Sequence, residues 1–168
     1  MKHFDIFVAI DWSAAAKPTT GKDSIWIAWL ALSGSKPGQS ILWNAPTRFA
    51  AMEWLKSQLL AAREAEQTAL VGFDFSFAYP QGTVAALGLD SWQDLWAMWS
   101  DRITDAPDNA NNRFEVASDL NQLMGFDEGP FWGHPAGRSY PHLRPKRPND
   151  WPLPERRGCE RLLPKSQP

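Results

Sequence analysis

Apolar residues fall into short runs in the first third of the chain and into helical spacings after it. Phe4 to Trp12 is rich in β-formers, and Ser24 to Leu32 is apolar on both of its period-2 faces, the pattern of a central strand covered on both sides. Between them Ser13 to Asp23 is small and polar, with turn signals at Lys17-Pro18 and Gly21, so the two strands form a hairpin with a long tip. Ser33 to Gly38 is a second turn, followed by a short third strand over Ser40 to Trp43. After Pro46, Phe49, Met52, Leu55 and Leu59 recur at helical spacing through Ala-rich sequence to Ala65, which predicts an amphipathic helix lying on the sheet. Ala69 to Phe75 then reads as a fourth strand. Ser91 is an expected N-cap, with Asp94 in capping-box position and a stripe of Trp92, Leu95, Trp96 and Trp99, which reads as core packing rather than base stacking. A further helix is expected from Asn111 or Asn112, with Phe114, Leu120, Leu123 and Met124 apolar. These helices are expected to cover the open sheet face.

The order β-β-β-α-β matters for chemistry. A helical crossover returns the fourth strand parallel to the first, and right-handed connection sets them side by side. The expected strand order is 3-2-1-4, the opening of a ribonuclease H-like α/β fold with a mixed sheet and covering helices. No run after Phe77 supplies the fifth strand of such a sheet. Asp11 ends the first strand and Asp74 the fourth, so both reach the same edge, Asp11 on the face of Phe7 and Ala9, Asp74 on that of Gly72 and Ser76. Adjacent strands lie about 4.8 Å apart, near enough for two carboxylates to share Mg²⁺ or Mn²⁺. Each Asp alone reads equally as a strand-end turn former.

With 168 residues and 43% hydrophobic content the chain can bury a core, and its net charge of −2 supplies no global attraction to nucleic acid or membrane. Charge is nevertheless divided: through Met124 nine Lys and Arg stand against fourteen Asp and Glu, and from Gly125 eight stand against five. Nine of the fourteen prolines also follow Gly125, excluding long helices and central strands there. The expected organisation is an α/β domain over 1–124 and an irregular, basic, Pro-rich tail over 125–168, folded back on it. The lone Cys159 excludes an intramolecular disulfide. No signal peptide is read at the start and no apolar run approaches the ~18 residues of a membrane span, so a cytoplasmic protein without membrane contact is expected.

Candidate site residues extend beyond the Asp pair. Asp11, Asp74 and Glu115 form the expected catalytic set, Asp11 and Asp74 the metal ligands, and Ser13, Lys17 and Arg113 the substrate-binding set. Arg113 suits bidentate clamping of a phosphate. Glu115 has a competing reading, in which Asn112 caps the helix and Glu115 reaches back. Glu53 is either a third carboxylate or a solvated helix residue, and Glu155 is a further candidate in the tail. Arg138 to Arg147 is basic with one aromatic interleaved, the composition that follows a phosphate backbone. His134 and His142 lack partners at zinc-site spacing, and Ser13 lacks a glycine-flanked nucleophile elbow.

The segments Ala9-Ile-Asp-Trp-Ser13, Val71-Gly-Phe-Asp-Phe-Ser-Phe-Ala-Tyr-Pro80 and Asn111-Asn-Arg-Phe-Glu-Val-Ala-Ser118 resemble a bacterial family of predicted ribonuclease H-like nucleases of uncharacterised function. Pro130-Phe-Trp-Gly133 and Leu163-Pro-Lys-Ser166 extend the resemblance over most of the chain. It implies a divalent-metal-dependent phosphodiesterase acting on nucleic acid or another phosphodiester. Some relatives carry labels tied to molybdopterin guanine dinucleotide or cobalamin synthesis, so a non-catalytic assembly factor is an alternative. An actin-like nucleotide-binding domain, with Lys17, Thr19, Thr20 and Gly21 at the phosphate-cradling tip, is another. The resemblance implies that similar proteins continue past the Pro-Lys-Ser motif, which leaves two readings: a truncated member, inactive if the missing half is needed to complete the sheet, or a natural short form whose exposed sheet edge offers a surface for homodimerisation.

Overall fold

Strand β1 (Ile6–Asp11) buries every second residue, Ile6, Val8 and Ile10, and leaves Phe7, Ala9 and Asp11 outward. It lies in a four-stranded mixed sheet of order β3-β2-β1-β4, with β2 (Ile25–Ser33), β3 (Lys36–Ala45) and β4 (Ala69–Phe73). β1 is antiparallel to β2, β2 to β3, and β1 parallel to β4. Helix α1 (Arg48–Glu64) makes the crossover before β4. The computed structural model describes residues 3–34, 36–126, 129–148, 153–154 and 156–159. Two compact units form: the first is Met1–Phe75 with Asp105–Asn111, the second Ser76–Thr104 with Asn112–Pro168. The division thus comes where the sheet ends, not at residue 125. Among the described residues no helix is long and apolar enough to cross a membrane.

In the first unit Ile6, Val8, Ile10, Ile25, Ile27 and Trp29 meet Ala51, Leu55 and Ala62 of α1 in one core. The helix starts at Thr47, whose hydroxyl accepts the Ala50 N–H at 3.1 Å. Its buried stripe differs from the expected one: Phe49 and Met52 are 54% and 45% exposed. Small Ala51 and Ala62 bring the helix close to the sheet, and Trp54 packs edge-on to Trp29 and tilted on Trp43. β3 is longer than Ser40 to Trp43, because an edge strand tolerates Pro37, which pairs with Leu32 beside an irregularity between Leu30 and Leu32.

The opposite sheet face corrects the expectation of cover on both sides. Leu42 is 71% exposed and Leu70 47%, and Ala28 is exposed as well. In register across it run Gly72, Ala9, Ala28 and Leu42, a low row beside the taller Leu70, Phe7 and Leu30. The next row is Asp11, Trp26 and Asn44. A shallow trough over the small residues ends at Asp11 and Asp74.

The second unit holds α2 (Thr83–Ala86), α3 (Trp92–Arg102) and α4 (Arg113–Leu123). Leu87, Leu95, Val116 and Leu120 are its buried core. Ser91 caps α3 as the sequence predicts, accepting the Asp94 N–H at 3.1 Å and donating to the Asp94 carboxylate at 2.6 Å. The Trp stripe does not behave as core throughout: Leu95 is buried, Trp92 is 61% exposed, and Trp96 and Trp99 are half-buried. The Asn112 and Glu115 capping box is also absent. Asn112 instead accepts from Thr104 N–H at 2.9 Å and donates to the Arg102 carbonyl at 2.8 Å, tying the end of α3 to the start of α4. The Pro-rich segment is pinned by fully buried Asn121, which donates to the carbonyls of Phe131 and His142 and accepts the Phe131 N–H.

Candidate carboxylate site at the sheet edge

The sheet register delivers the two aspartates together. Ile10 pairs with Phe73 across β1 and β4, and the Asp74 N–H continues the ladder to the Ile10 carbonyl at 3.1 Å. Asp11 and Asp74 therefore leave adjacent parallel strands at the same level. Asp74 is oriented by the Trp12 N–H, which donates to Asp74 Oδ1 at 2.8 Å. Beneath this edge Trp12, Phe73 and Phe75 form an aromatic triangle with centroid separations of 4.9 to 6.1 Å. The rings stiffen both strand exits.

The neighbouring Asp74 side chain holds the Asp11 carboxyl above its ordinary value, and desolvation, the Asp74 charge and the Asp23 charge push the same way. Two neighbouring carboxylates in solvent are also a pair that a cation can bridge. Asp23 was not among the sequence candidates. It enters because the tip folds back: Ser13 Oγ donates to the Asp23 carbonyl at 2.9 Å and accepts the Ala15 N–H at 3.2 Å.

The tip is held by groups that were not among the sequence candidates. Arg48, at the first turn of α1 and 7% exposed, makes a two-pronged ion pair with Asp105 at 2.5 and 2.6 Å. Its guanidinium also donates to the carbonyls of Ser13, Ala15 and Asn109 at 3.3, 2.8 and 2.8 Å. Asn109, 2% exposed, accepts the Arg48 N–H and donates to the Lys17 carbonyl. Asn44 accepts the Gly21 N–H at 2.6 Å and donates to Ser24 Oγ and the Ile25 carbonyl. The backbone on both sides of the acidic pair is thereby fixed to α1, β3 and residues 105–111.

Ser13 and Lys17 lie on this tip: the Ser13 hydroxyl is engaged within it, and Lys17 is exposed. Glu53 is exposed on α1. Arg113 and Glu115 belong to the second unit, where the Arg113 guanidinium stands 4.7 Å from the Phe114 ring centroid and Glu115 accepts from the Tyr140 hydroxyl at 3.4 Å. Glu155 lies outside the described residues.

Among the described residues no group of three or more His, Cys, Asp and Glu side chains gathers as a metal cage. A bare carboxylate pair still suits one kind of ion. Mg²⁺ keeps several waters and is commonly held by one or two carboxylates together with substrate phosphate oxygens. The exposed Asp pair, oxygen-only and at the end of an open trough of about 460 Å³, fits that donor chemistry better than it fits zinc or calcium. No family model, no curated protein and no solved structure matches this chain.

Proposed function

We propose that the first unit is a ribonuclease H-like domain in which Asp11 and Asp74 hold Mg²⁺ or Mn²⁺ for hydrolysis of a phosphodiester. The observation that carries this reading is the pair of exposed carboxylates that leave adjacent parallel strands at the same level. The strand order β3-β2-β1-β4, with its helical crossover, supports the fold assignment.

A bound divalent cation supplies a Lewis acid, which offsets the negative charge that builds on phosphorus oxygens and lowers the pKa of water. Everything else falls to the chain. Asp74 is kept in place by the Trp12 N–H on Oδ1. Asp11 must give up the proton favoured by its neighbour, so cation affinity rises with pH through its raised titration range. The low floor of Ala9, Ala28 and Gly72 leaves room for a sugar-phosphate backbone beside the pair, and a Cβ added at Gly72 would meet only the Val8 carbonyl at 3.8 Å. The reaction class is water attack on phosphorus with loss of an alkoxide leaving group. The substrate is nucleic acid or a smaller phosphodiester.

The test is Mn²⁺ titration by calorimetry on the wild-type chain and on the Asp11→Asn/Asp74→Asn double variant. Hydrolysis of single-stranded DNA, RNA, an RNA–DNA hybrid and bis(p-nitrophenyl) phosphate is measured in parallel. Saturable Mn²⁺ binding that the double variant loses, with hydrolysis lost alongside it, is expected. Equal Mn²⁺ binding by the two proteins overturns the metal assignment; binding lost without hydrolysis of any substrate overturns the catalytic one.

A further inference from the structure

The trough beside the acidic pair offers more than room for a phosphate. Its floor is the row Ala28, Ala9 and Gly72, one residue from each of three adjacent strands. Leu42 of β3, 71% exposed, closes the row on the far side. Two methyl groups and a glycine make that floor low, apolar and free of side-chain donors and acceptors. At about 460 Å³ the trough is large enough for a small ligand.

Trp26 flanks the floor. It pairs directly with Asp11 across β1 and β2, so the indole and the carboxylate share the outward sheet face with Cβ atoms about 5 Å apart. Its Nε1 donates to the Gly21 carbonyl at 3.0 Å. The same carbonyl accepts from Ser24 Oγ at 2.6 Å, and the Gly21 N–H donates to Asn44 Oδ1 at 2.6 Å. Gly21 has a φ of +83°, a conformation that favours glycine, so the group that anchors the indole is itself set by its turn and by two side chains. The one polar atom of the Trp26 side chain is thereby committed to the tip. What remains at the trough is apolar ring, half-buried and next to the carboxylates.

The span of the trough selects the ligand. From β1, where Asp11 leaves the sheet, to Leu42 on β3 is two strand spacings, about 10 Å. One nucleotide has that reach from its phosphate to the far edge of its base. With the phosphate on a cation held by Asp11 and Asp74, the sugar crosses Ala9 and Gly72, and the base lies over Ala28 between Trp26 and Leu42. A floor without donors or acceptors reads the face of a ring and not its edge, so apolar contact and stacking hold the base whatever its identity. A base stacked within a duplex has no free face to offer.

We propose that the trough is a nucleobase subsite: the substrate of the acidic pair is a nucleoside phosphodiester with an unpaired base, and Trp26 is the residue that selects it. This inference rests on the reading of Asp11 and Asp74 as a cation site. Every residue it uses lies in the sheet unit.

The experiment is calorimetric titration of the full chain with Mn²⁺ alone and then, at saturating Mn²⁺, with AMP or ribose 5-phosphate. The two ligands share sugar and phosphate and differ in the base. AMP is expected to bind at least about tenfold tighter than ribose 5-phosphate. Trp26→Ala removes the ring and Ala28→Leu fills the floor. Each is expected to bring AMP to within about threefold of ribose 5-phosphate, while Mn²⁺ alone binds as in the wild type. Ala28 is exposed, so a leucine there meets solvent rather than core, and unchanged far-ultraviolet circular dichroism certifies the fold of each variant. Saturable Mn²⁺ binding with equal affinity for AMP and ribose 5-phosphate, or AMP affinity unchanged in both variants, overturns the base subsite and leaves the metal reading standing. Absence of Mn²⁺ binding overturns the metal reading itself, and the proposal with it.

Discussion

Replacing Arg48 tests whether the loop beside the acidic pair is held from within. Arg48→Met keeps much of the side-chain volume and removes the charge, so the loss is chemical rather than a cavity. Four partners lose their donor: the Asp105 carboxylate and the carbonyls of Ser13, Ala15 and Asn109. Breaking a buried ion pair from one side costs about 3–5 kcal/mol, because the partner is left charged and unpaired. The Asp105 side chain is 37% exposed, and water recovers part of that loss, which brings the expected cost to about 2–4 kcal/mol. The assay is hydrogen exchange by mass spectrometry, read at the tip. The Thr19 N–H bonds the Pro46 carbonyl at 2.9 Å and the Gly21 N–H bonds Asn44 at 2.6 Å, and both should exchange about 30- to 1000-fold faster in Arg48→Met. Arg48→Lys, whose ammonium cannot span two carboxylate oxygens and three carbonyls, should recover less than half of the loss. Protection of the tip unchanged in Arg48→Met, with urea stability within about 0.5 kcal/mol of wild type, would refute the assigned role.

Two further outcomes follow from single groups. The neighbouring Asp74 side chain and its charge raise the Asp11 titration above its ordinary 3.8 in the folded chain, so its stabilising contribution is full below 3.8 and is lost as pH rises through the folded value. Asp11→Asn never ionises, so its melting temperature should exceed wild type at neutral pH and match it near the acid end; a lower melting temperature at neutral pH would show that the pair does not repel. Trp99→Phe removes an indole N–H that has no acceptor among the described residues while keeping a ring against Tyr79 and Phe131, so it should cost under about 1 kcal/mol in urea denaturation, and a loss of about 3 kcal/mol would mean that the N–H is satisfied.

The sheet was legible because period-2 alternation, turn residues and a helical crossover constrain one another. Once β1 and β4 are parallel neighbours, residues that end equivalent apolar runs must arrive together, and Asp11 with Asp74 did so. Helical faces were harder to read. In α1 the large side chains at 49 and 52 mark the more apolar stripe, yet closeness to the sheet is set by Ala51 and Ala62, so small residues won the buried face. The same competition misplaced Asn112: its side chain suits an N-cap, but bridging α3 to α4 satisfies two backbone groups where a cap satisfies one.

The groups that fix the tip beside the acidic pair had no local signature at all. Arg48 and Asp105 are 57 residues apart, and Arg48 and Asn109 are 61 apart. In sequence each looks like a helix-start cation, a loop acid or a turn amide. Their role appears only when an irregular tip must be buried beside a sheet, because a loop without a ladder leaves its carbonyls and N–H groups unpaid for in hydrogen bonds unless side chains supply them. Arginine with five donors and asparagine with both donors and acceptors are the residues that can serve several loop groups at once. Here Arg48 and Asn109 contact backbone from distant segments, and the loop they hold stands next to the acidic pair.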